Sequence, residues 1–200
     1  MIKKMIELLL DRPFFFNSIR RVIAGDQHNT KAFISETLKK YSVKSVLDIG
    51  CGTGDFCVCA PKGAQYTGAD LNDHYIRYAS QRYGTKNKTW ITQDVTEKSF
   101  YDGRKYDAVL FVSMVHHLSN QELNAMLPVI KKMTRKVIVI ADIIPEPPGF
   151  LRKFMVKLDQ GKYIRPPEDK LAIIEKYGKI VHTEHIPSRL AIQYGIICQP

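Results

Sequence analysis

The chain has 200 residues, of which 44% are hydrophobic and 25% are charged. This length and composition fit one folded domain with a central sheet covered by helices, and they exclude a disordered or fibrous protein. The formal net charge of +10 favours anionic partners, such as a phosphorylated or carboxylate substrate, a nucleic acid or a membrane surface. Because the basic residues are scattered, a solvated basic surface is the simpler interpretation.

The cysteine content and the apolar segments predict a reduced, cytoplasmic protein. The four cysteines have neither the paired spacing of a zinc site nor the density of a disulfide scaffold. No segment reaches the ~18 apolar residues that a membrane span needs. The apolar start of the chain is interrupted by Glu7 and Asp11 and has no small-residue cleavage site, so it is not interpreted as a signal peptide.

Helices are predicted before the first strand. Apolar spacing predicts a short helix over residues 3–10, which Pro13 ends or kinks, and further helices over 18–23 and 30–41. Three phenylalanines, 14–16, lie between the first two. Adjacent aromatic residues on one helix cannot all face one core, so at least one is expected to project toward a groove, a partner or a lipid-like substrate. The alternative is that they cap the core.

From residue 43 onward, short apolar strands alternate with helices, which predicts a parallel sheet covered on both faces. The strands are predicted at 46–49, 66–69, 89–91, 108–113 and 137–141, and the intervening helices at 56–60, 71–83 and 120–133, the last begun by an Asn120 cap. Toward the end of the chain, helices are predicted at 150–158 and 168–177 and strands at 180–185 and 194–198. The connection between these two strands is too short for a crossover helix, so they are predicted to pair antiparallel.

The turn after the first strand carries the most chemical information. Residues 48–54 read Asp-Ile-Gly-Cys-Gly-Thr-Gly, a GxGxG turn. The dinucleotide-binding fingerprint GxGxxG has its third glycine one residue later than Gly54. In addition, the carboxylate of Asp48 would repel a pyrophosphate and would suit a cationic ligand. A nucleoside cofactor that carries a sulfonium and an ammonium group is the obvious candidate.

This turn, VLDIGCGTG, is similar to the first motif of the class I S-adenosylmethionine-dependent methyltransferases. The similarity continues in order through TGADLN, TQDV and YDAVLFVSMVHHL, and it covers residues 43–200. It implies an α/β fold with a doubly wound, mainly parallel seven-stranded sheet, Rossmann-like, in which the last strand is antiparallel. It also implies two parts, an N-terminal helical lid at 1–42 and the methyltransferase domain at 43–200.

The resemblance implies which residues bind S-adenosyl-L-methionine, whose product would be S-adenosyl-L-homocysteine. Asp70 matches the acid that accepts hydrogen bonds from both ribose hydroxyls, and Asp94 with Val95 matches the residues at the adenine amino edge. Both aspartates could instead be caps after strands, but both follow strands at the edge of the sheet where open α/β folds bind ligands. The predicted cofactor-binding residues are Asp48, Gly50, Gly52, Gly54, Asp70, Leu71, Asp94, Val95 and Ser113.

The acceptor side of the site is expected at the end of the fourth strand. His116 and His117 are the candidate catalytic residues, because an imidazole can take the proton of a hydroxyl or phenol. Alternatively, one of them only caps the following helix. The segment Ser113 to His116 lacks the prolines and the aromatic residue typical of base-amino methyltransferases. Asp142 is accompanied only by Glu146, so no catalytic metal is predicted.

Two further segments are candidates for acceptor binding. In the loop 159–167, Tyr163 and Arg165 could bind an anionic or aromatic acceptor, or Arg165 could pair with an acid of the following helix in a plain surface turn. In the lid, Phe16 suits a hydrophobic acceptor and Arg20 an acidic one.

Together these features predict a methyltransferase that acts on a small, hydrophobic or acidic metabolite, with oxygen as the methylated atom. The net charge leaves RNA or protein open as alternative acceptors, although nucleic acid is disfavoured by the missing base-amino motif. A non-catalytic partner subunit that retains the cofactor pocket is a third hypothesis. The sequence leaves open the identity of the acceptor, the atom that is methylated (O, N, C or S), whether a histidine acts as a general base, and the oligomeric state.

Overall fold

The computed structural model describes residues 11–101, 103–145, 162–189 and 192–200. The described part contains a seven-stranded sheet with the strand order β3-β2-β1-β4-β5-β7-β6. Its strands are β1 (Ser45–Ile49), β2 (Gln65–Asp70), β3 (Lys88–Thr92), β4 (Tyr106–Val112), β5 (Thr134–Ile143), β6 (Lys179–Pro187) and β7 (Ile192–Gln199). The pairs among β1 to β5 are parallel, while β7 pairs antiparallel with both β5 and β6. The predicted fold class is confirmed.

The helices of the described part lie before β1 and between the strands. They are α1 (Pro13–Ala24), α2 (His28–Lys40), α3 (Asp73–Tyr83), α4 (Asn120–Met133) and α5 (Pro167–Ile174), with short 3-10 helices at Asp55–Cys59, Lys98–Phe100 and Val115–His117. Within the residues described, no helix has the length and apolar character needed to cross a membrane. The predictions for 3–10, 150–158 and Glu146 fall outside the described residues.

Three local predictions were wrong, and each has a simple cause. The helix predicted over 18–23 begins earlier, at Pro13, because the first helical position needs no backbone N–H donor. The cap of α4 is Ser119 and not Asn120. The Ser119 hydroxyl accepts from the backbone N–H of Glu122 at 3.2 Å, and the Glu122 carboxylate accepts from the backbone N–H of Ser119 at 2.7 Å. The segment after the glycine turn is a 3-10 helix, Asp55–Cys59.

The core consists of two apolar layers, one on each face of the sheet. Strand β4 is buried along its whole length, which explains its continuous apolar sequence. Val109 and Phe111 pack into the layer under α4 and α5, while Leu110 packs into the layer under α2. All four cysteines are free and buried within these layers or beside them. The carboxyl ends of β1, β2 and β4 therefore meet at one fixed edge of the sheet.

Candidate active site

A cavity of about 900 Å³ opens at the carboxyl edge of the sheet, between the strand ends and α1. Its volume lies at the upper end of the range of about 300–1,000 Å³ that is usual for ligand sites. Most of the residues predicted from the sequence line this cavity, namely Phe16, Arg20, Gly50, Gly52, Asp70, Leu71, Asp94, Val95, Ser113, His116 and His117. The predicted donor side and the predicted acceptor side of the site therefore share one space.

The glycine turn brings the backbone itself to the cavity wall. Gly50 has a φ of 69°, and a Cβ there would lie 2.4 Å from Cγ of Met114. The backbone N–H groups of Gly50 and Cys51 both donate to the carbonyl of Ala69, at 2.9 and 3.0 Å. Only glycine tolerates this conformation together with such close packing. The turn is thus held against the end of β2.

Asp70 ends β2 and faces the cavity next to this turn. Its carboxylate accepts hydrogen bonds from the backbone N–H of Gly52 at 2.8 Å and from that of Asn72 at 2.9 Å. Burial raises the pKa of Asp70, and these backbone donors oppose the rise. Each carboxylate oxygen has a second lone pair, so the group can still accept hydrogen bonds from a ligand.

Asp94 and Val95 follow β3 on the same edge. The Asp94 carboxylate accepts from the backbone N–H of Thr96 at 2.8 Å and from its hydroxyl at 2.6 Å, which holds the turn that exposes Asp94 to the cavity. Val95 is buried beside it, whereas Leu71 is 70% exposed at the opening. This wall offers both apolar surface and hydrogen-bond acceptors.

Asp48 and Gly54 are not among the residues that line the cavity. Asp48 is 1% exposed and lies beneath the turn, where its carboxylate accepts a hydrogen bond of 2.5 Å from the hydroxyl of Tyr66. Burial raises the pKa of Asp48 to about 7. A Cβ at Gly54 would lie 2.6 Å from the ring of Trp90. Both residues therefore support the turn from below, and Asp48 does not face the ligand as its charge had suggested.

The two histidines follow β4 through a strained residue. Ser113 has a φ of 51°, in the left-handed region that is uncommon outside glycine, and its backbone N–H donates to the carbonyl of Ala141 at 2.8 Å. The chain then enters the short helix Val115–His117. His116 is 1% exposed and its Nδ1 lies 2.5 Å from Oδ1 of Asp142, whereas His117 is exposed. The same dipeptide thus supplies one buried and one accessible imidazole.

Tyr163 and Arg165 lie behind the histidines and are not among the cavity-lining residues. The guanidinium of Arg165 donates to the backbone carbonyls of Val115 at 3.2 Å and Leu118 at 2.7 Å, on either side of the histidines. The backbone N–H of Tyr163 donates to the carbonyl of His116 at 2.9 Å. In this position Arg165 fixes the backbone of the histidine turn and is turned away from an acceptor.

Helix α1 covers the glycine turn. The Phe16 ring lies 4.7 Å from the ring of Tyr75 and borders the cavity. Arg20 forms an ion pair with Asp55, directly after the turn, and burial lowers the pKa of Arg20 to about 10. The positive charge of Arg20 is therefore already matched by a carboxylate. As expected, the neighbouring phenylalanines diverge, and Phe14 is 75% exposed.

The residues at this edge fit a cationic nucleoside cofactor. The turn at Gly50 and Gly52 leaves a cradle without side chains, which lets a ligand approach the backbone closely. Asp70 and Asp94 give acceptors for hydroxyl and amino groups at the ends of adjacent strands. Both carboxylates also favour positive over negative charge in the cavity, which agrees with a sulfonium and disagrees with a pyrophosphate.

Two functional candidates were missed by sequence reasoning. Gln193 borders the cavity from β7, and its amide donates to the Ser113 hydroxyl at 2.8 Å. Lys170 is buried on the inner face of α5 and lies 3.3 Å from Asp142. A usable signal existed for Lys170, because it shares the inward stripe of α5 with Ile173 and Ile174 at helical spacing.

Comparison with known proteins supports the same assignment. A family described as "Methyltransferase domain" matches residues 46–136. The magnesium-protoporphyrin O-methyltransferase of Synechocystis is 27% identical over 103 residues, which cover 48% of this chain and 43% of that protein. The chain spans less than half of the length of the curated relatives that it matches.

Solved structures share the fold at low sequence identity. The magnesium protoporphyrin IX methyltransferase of Synechocystis, crystallised with bound SAH, superposes with a TM-score of 0.72 at 21% identity and covers 99% of this chain and 100% of that chain. The N-methyltransferase NodS of Bradyrhizobium japonicum gives 0.69 at 16% identity, over 92% of this chain and 98% of that chain. Residues 46–136 therefore match the methyltransferase domain family, and the chain shares the fold of a methyltransferase crystallised with bound SAH.

Proposed function

We propose that the protein transfers a methyl group from S-adenosylmethionine to an oxygen of a small, hydrophobic or acidic molecule. The observation that supports this most is the single cavity of about 900 Å³ that both Asp70 and the two histidines line. A space of this size can take a nucleoside cofactor and a small acceptor together. The curated relative from Synechocystis, which is named for methylating magnesium-protoporphyrin at oxygen, supports a small acceptor.

In this proposal Asp70 holds the ribose hydroxyls and Asp94 with Val95 holds the adenine. The backbone at Gly50 and Gly52 lies against the amino-acid part of the cofactor. When bound, S-adenosylmethionine supplies a methyl group on a sulfonium, and the C–S electron pair stays on sulfur to leave S-adenosylhomocysteine as the methyl joins the acceptor oxygen. The chain's own task is to orient the acceptor and to take its proton on an imidazole of the histidine pair.

Helix α1 acts as a lid in this proposal, within the segment 1–42 for which the sequence predicts one. Within the described part of that segment, α1 is tied to the glycine turn by the Arg20–Asp55 ion pair and by the Thr53 hydroxyl, which donates to the Asn17 side chain at 2.8 Å. Phe16 gives the lid an apolar face toward the cavity. An acceptor that reaches the histidines therefore passes an apolar rim, which suits a hydrophobic molecule.

Calorimetry with S-adenosylhomocysteine tests the donor half of the proposal. The wild type should bind it, and Asp70→Ala should weaken binding by about 10- to 100-fold, because hydrogen bonds to a charged acceptor are worth about 1.5–3 kcal/mol. Asp26→Ala removes an exposed aspartate that is not among the cavity-lining residues and should leave the affinity unchanged. No binding to the wild type, or equal binding to Asp70→Ala, contradicts the cofactor site.

A screen with methyl-labelled S-adenosylmethionine tests the acceptor half. Hydroxylated or carboxylated aromatic molecules, total RNA and unfolded protein form its three arms. Label in the small-molecule arm agrees with the proposal. Label confined to RNA or protein contradicts it and would give the net charge of +10 a direct role.

A further inference from the structure

A buried trio of ionisable side chains lies directly behind the acceptor side of the cavity. His116 comes from the short helix after β4, Asp142 from the end of β5 and Lys170 from α5. Nδ1 of His116 lies 2.5 Å from one oxygen of Asp142, and Nζ of Lys170 lies 3.3 Å from the other. The side chains of all three are at most 2% exposed.

The bonds around the trio are directional. Lys170 donates to the backbone carbonyl of Ile143 and forms an ion pair with Asp142, so its ammonium is held between two oxygens. Burial alone would raise the pKa of Asp142, but the hydrogen bond from His116 and the positive charge of Lys170 hold it below its ordinary value. Asp142 is therefore ionised and bridges the two bases. Because Asp142 takes Nδ1 of His116, chemistry toward the cavity would use Nε2.

A purely structural role does not account well for this arrangement. Burying charged groups costs several kcal/mol per ion, and apolar side chains of similar volume usually serve a core at least as well. The trio nevertheless borders the cavity through His116 and lies beside the strand ends that carry the predicted cofactor residues. Titratable groups held together at the edge of a cavity are candidates for catalysis.

We propose that Asp142 and Lys170 are positioning residues that select His116, rather than His117, as the proton acceptor, and that Lys170 balances the Asp142 charge so that His116 is a neutral base at neutral pH. This inference rests on the proposed methyl transfer to oxygen. Asp142 orients the ring through Nδ1. Lys170 acts through Asp142, because a buried carboxylate without a counter-charge would favour the imidazolium, which cannot take a proton.

Other charged groups near His116 belong to the argument. The ring of His117 lies 4.2 Å from that of His116 on the same turn. The Arg165 guanidinium, which bonds the carbonyls on either side of the histidines, adds a second positive charge from the loop before α5. With Asp142 and Lys170, the surroundings of His116 contain one carboxylate and two fixed cations. This balance favours the neutral imidazole.

Proton transfer then has a defined route. The acceptor O–H gives its proton to Nε2 of His116 while the oxygen electron pair forms the bond to the methyl carbon. Asp142 receives the Nδ1–H of the resulting imidazolium and stabilises it, without itself taking a proton. The proton leaves to solvent after product release.

NMR titration of ring-labelled histidine tests the trio without cofactor or acceptor. The His116 signals are assigned by their loss in His116→Gln, and wild-type His116 should be the Nδ1–H tautomer at neutral pH. Lys170→Met should raise the His116 titration midpoint by about one pH unit or more, and Asp142→Asn should lower it, because a neighbouring charge shifts a pKa by about 1–3 units. Lys176→Met removes an exposed lysine just beyond α5 and should leave the midpoint unchanged.

Turnover with an acceptor from the screen gives the second readout. The acid limb of the pH profile of kcat should move to higher pH in Lys170→Met and should not move in Lys176→Met, with KM little changed in both.

If Lys170→Met does not fold, the double variant Asp142→Asn/Lys170→Met replaces it. Its His116 midpoint should lie below that of the wild type, because the carboxylate is the charge nearer to His116. A midpoint at or above the wild-type value in the double variant, or equal midpoints in Lys170→Met and the wild type, overturns the inference. If the His116 midpoints shift as predicted but the protein binds no S-adenosylhomocysteine, the proposed function is overturned, whereas the effect of Asp142 and Lys170 on His116 is not.

Discussion

Replacing Asp48 by asparagine should stabilise the protein at alkaline pH and not at acidic pH. Asp48 is 1% exposed, and burial raises its pKa from 3.8 to about 7. At pH values between the two pKa values, the folded state therefore keeps a proton that the unfolded state has released. The contribution of Asp48 to folding stability is fully present below the unfolded pKa and is lost as the pH rises through the folded pKa. Integrated from pH 5 to pH 8, this single carboxyl costs the wild type about 2–3 kcal/mol.

Asparagine has no proton to lose and keeps an oxygen that can accept from the Tyr66 hydroxyl. Urea unfolding of both proteins at several pH values between 5 and 8 measures the difference, in which all other titrating groups cancel. The advantage of Asp48→Asn should grow by about 2–3 kcal/mol across that range. A difference that is constant with pH, or that shrinks as the pH rises, refutes the reasoning.

The same variant decides how Asp48 relates to the cofactor. Because Asp48 lies beneath the glycine turn and not on the cavity wall, Asp48→Asn should change the affinities for S-adenosylmethionine and S-adenosylhomocysteine by the same small factor. Calorimetry with both ligands measures this. Only the first ligand carries a sulfonium charge, so a loss confined to it would restore Asp48 as its direct partner.

Three further predictions follow from the geometry around the cavity. Gly50→Ala should destabilise the protein by about 2–4 kcal/mol, because its φ is positive and a carbon of Met114 lies 2.4 Å from the new Cβ. Gly63 also has a positive φ but has open space around it, so Gly63→Ala should cost only about 1 kcal/mol. Thermal unfolding of both variants measures the difference. Arg165→Gln should lower stability by about 2–4 kcal/mol and lower kcat, and a KM increase confined to anionic acceptors would contradict its role in the histidine turn. A double-mutant cycle on Arg20 and Asp55, each about one-fifth exposed, should show a coupling of about 1 kcal/mol that weakens with salt, and additive effects would contradict the latch between lid and turn.

The clustering of the residues proposed for the donor side could be predicted from the sequence because its signals are local. Strand β2 pairs in parallel with both β1 and β3, so the glycine turn after β1, the acid at the end of β2 and the acid after β3 lie close together at one edge. The structure places Gly50, Asp70 and Asp94 around one cavity accordingly.

Side-chain direction was harder to predict than position along the chain. Asp48 lies within β1, where successive side chains point to opposite faces of the sheet and both faces are buried. Its carboxyl is therefore buried next to the hydroxyl of Tyr66. Arg165 follows a polar loop and was expected at the surface or in the pocket, yet its donors match carbonyls of a turn distant in sequence. Composition does not show such pairings, because the carbonyl acceptors are common to every residue.

The contrast between His116 and His117 shows why the acceptor side resists prediction from sequence. The two residues have the same chemistry and adjacent positions, and both border the cavity. What distinguishes His116 is its contact of 2.5 Å with Asp142 from β5, which in turn pairs with Lys170 from α5. Since β4 and β5 run in parallel, His116 and Asp142 both follow or end buried strands at the same sheet edge, and a lysine on an otherwise apolar helix face completes the set. A buried acid at a strand end, a histidine after the neighbouring strand and a lysine on an inward helix stripe are each weak signals, but their shared edge makes the combination specific enough to search for in related chains.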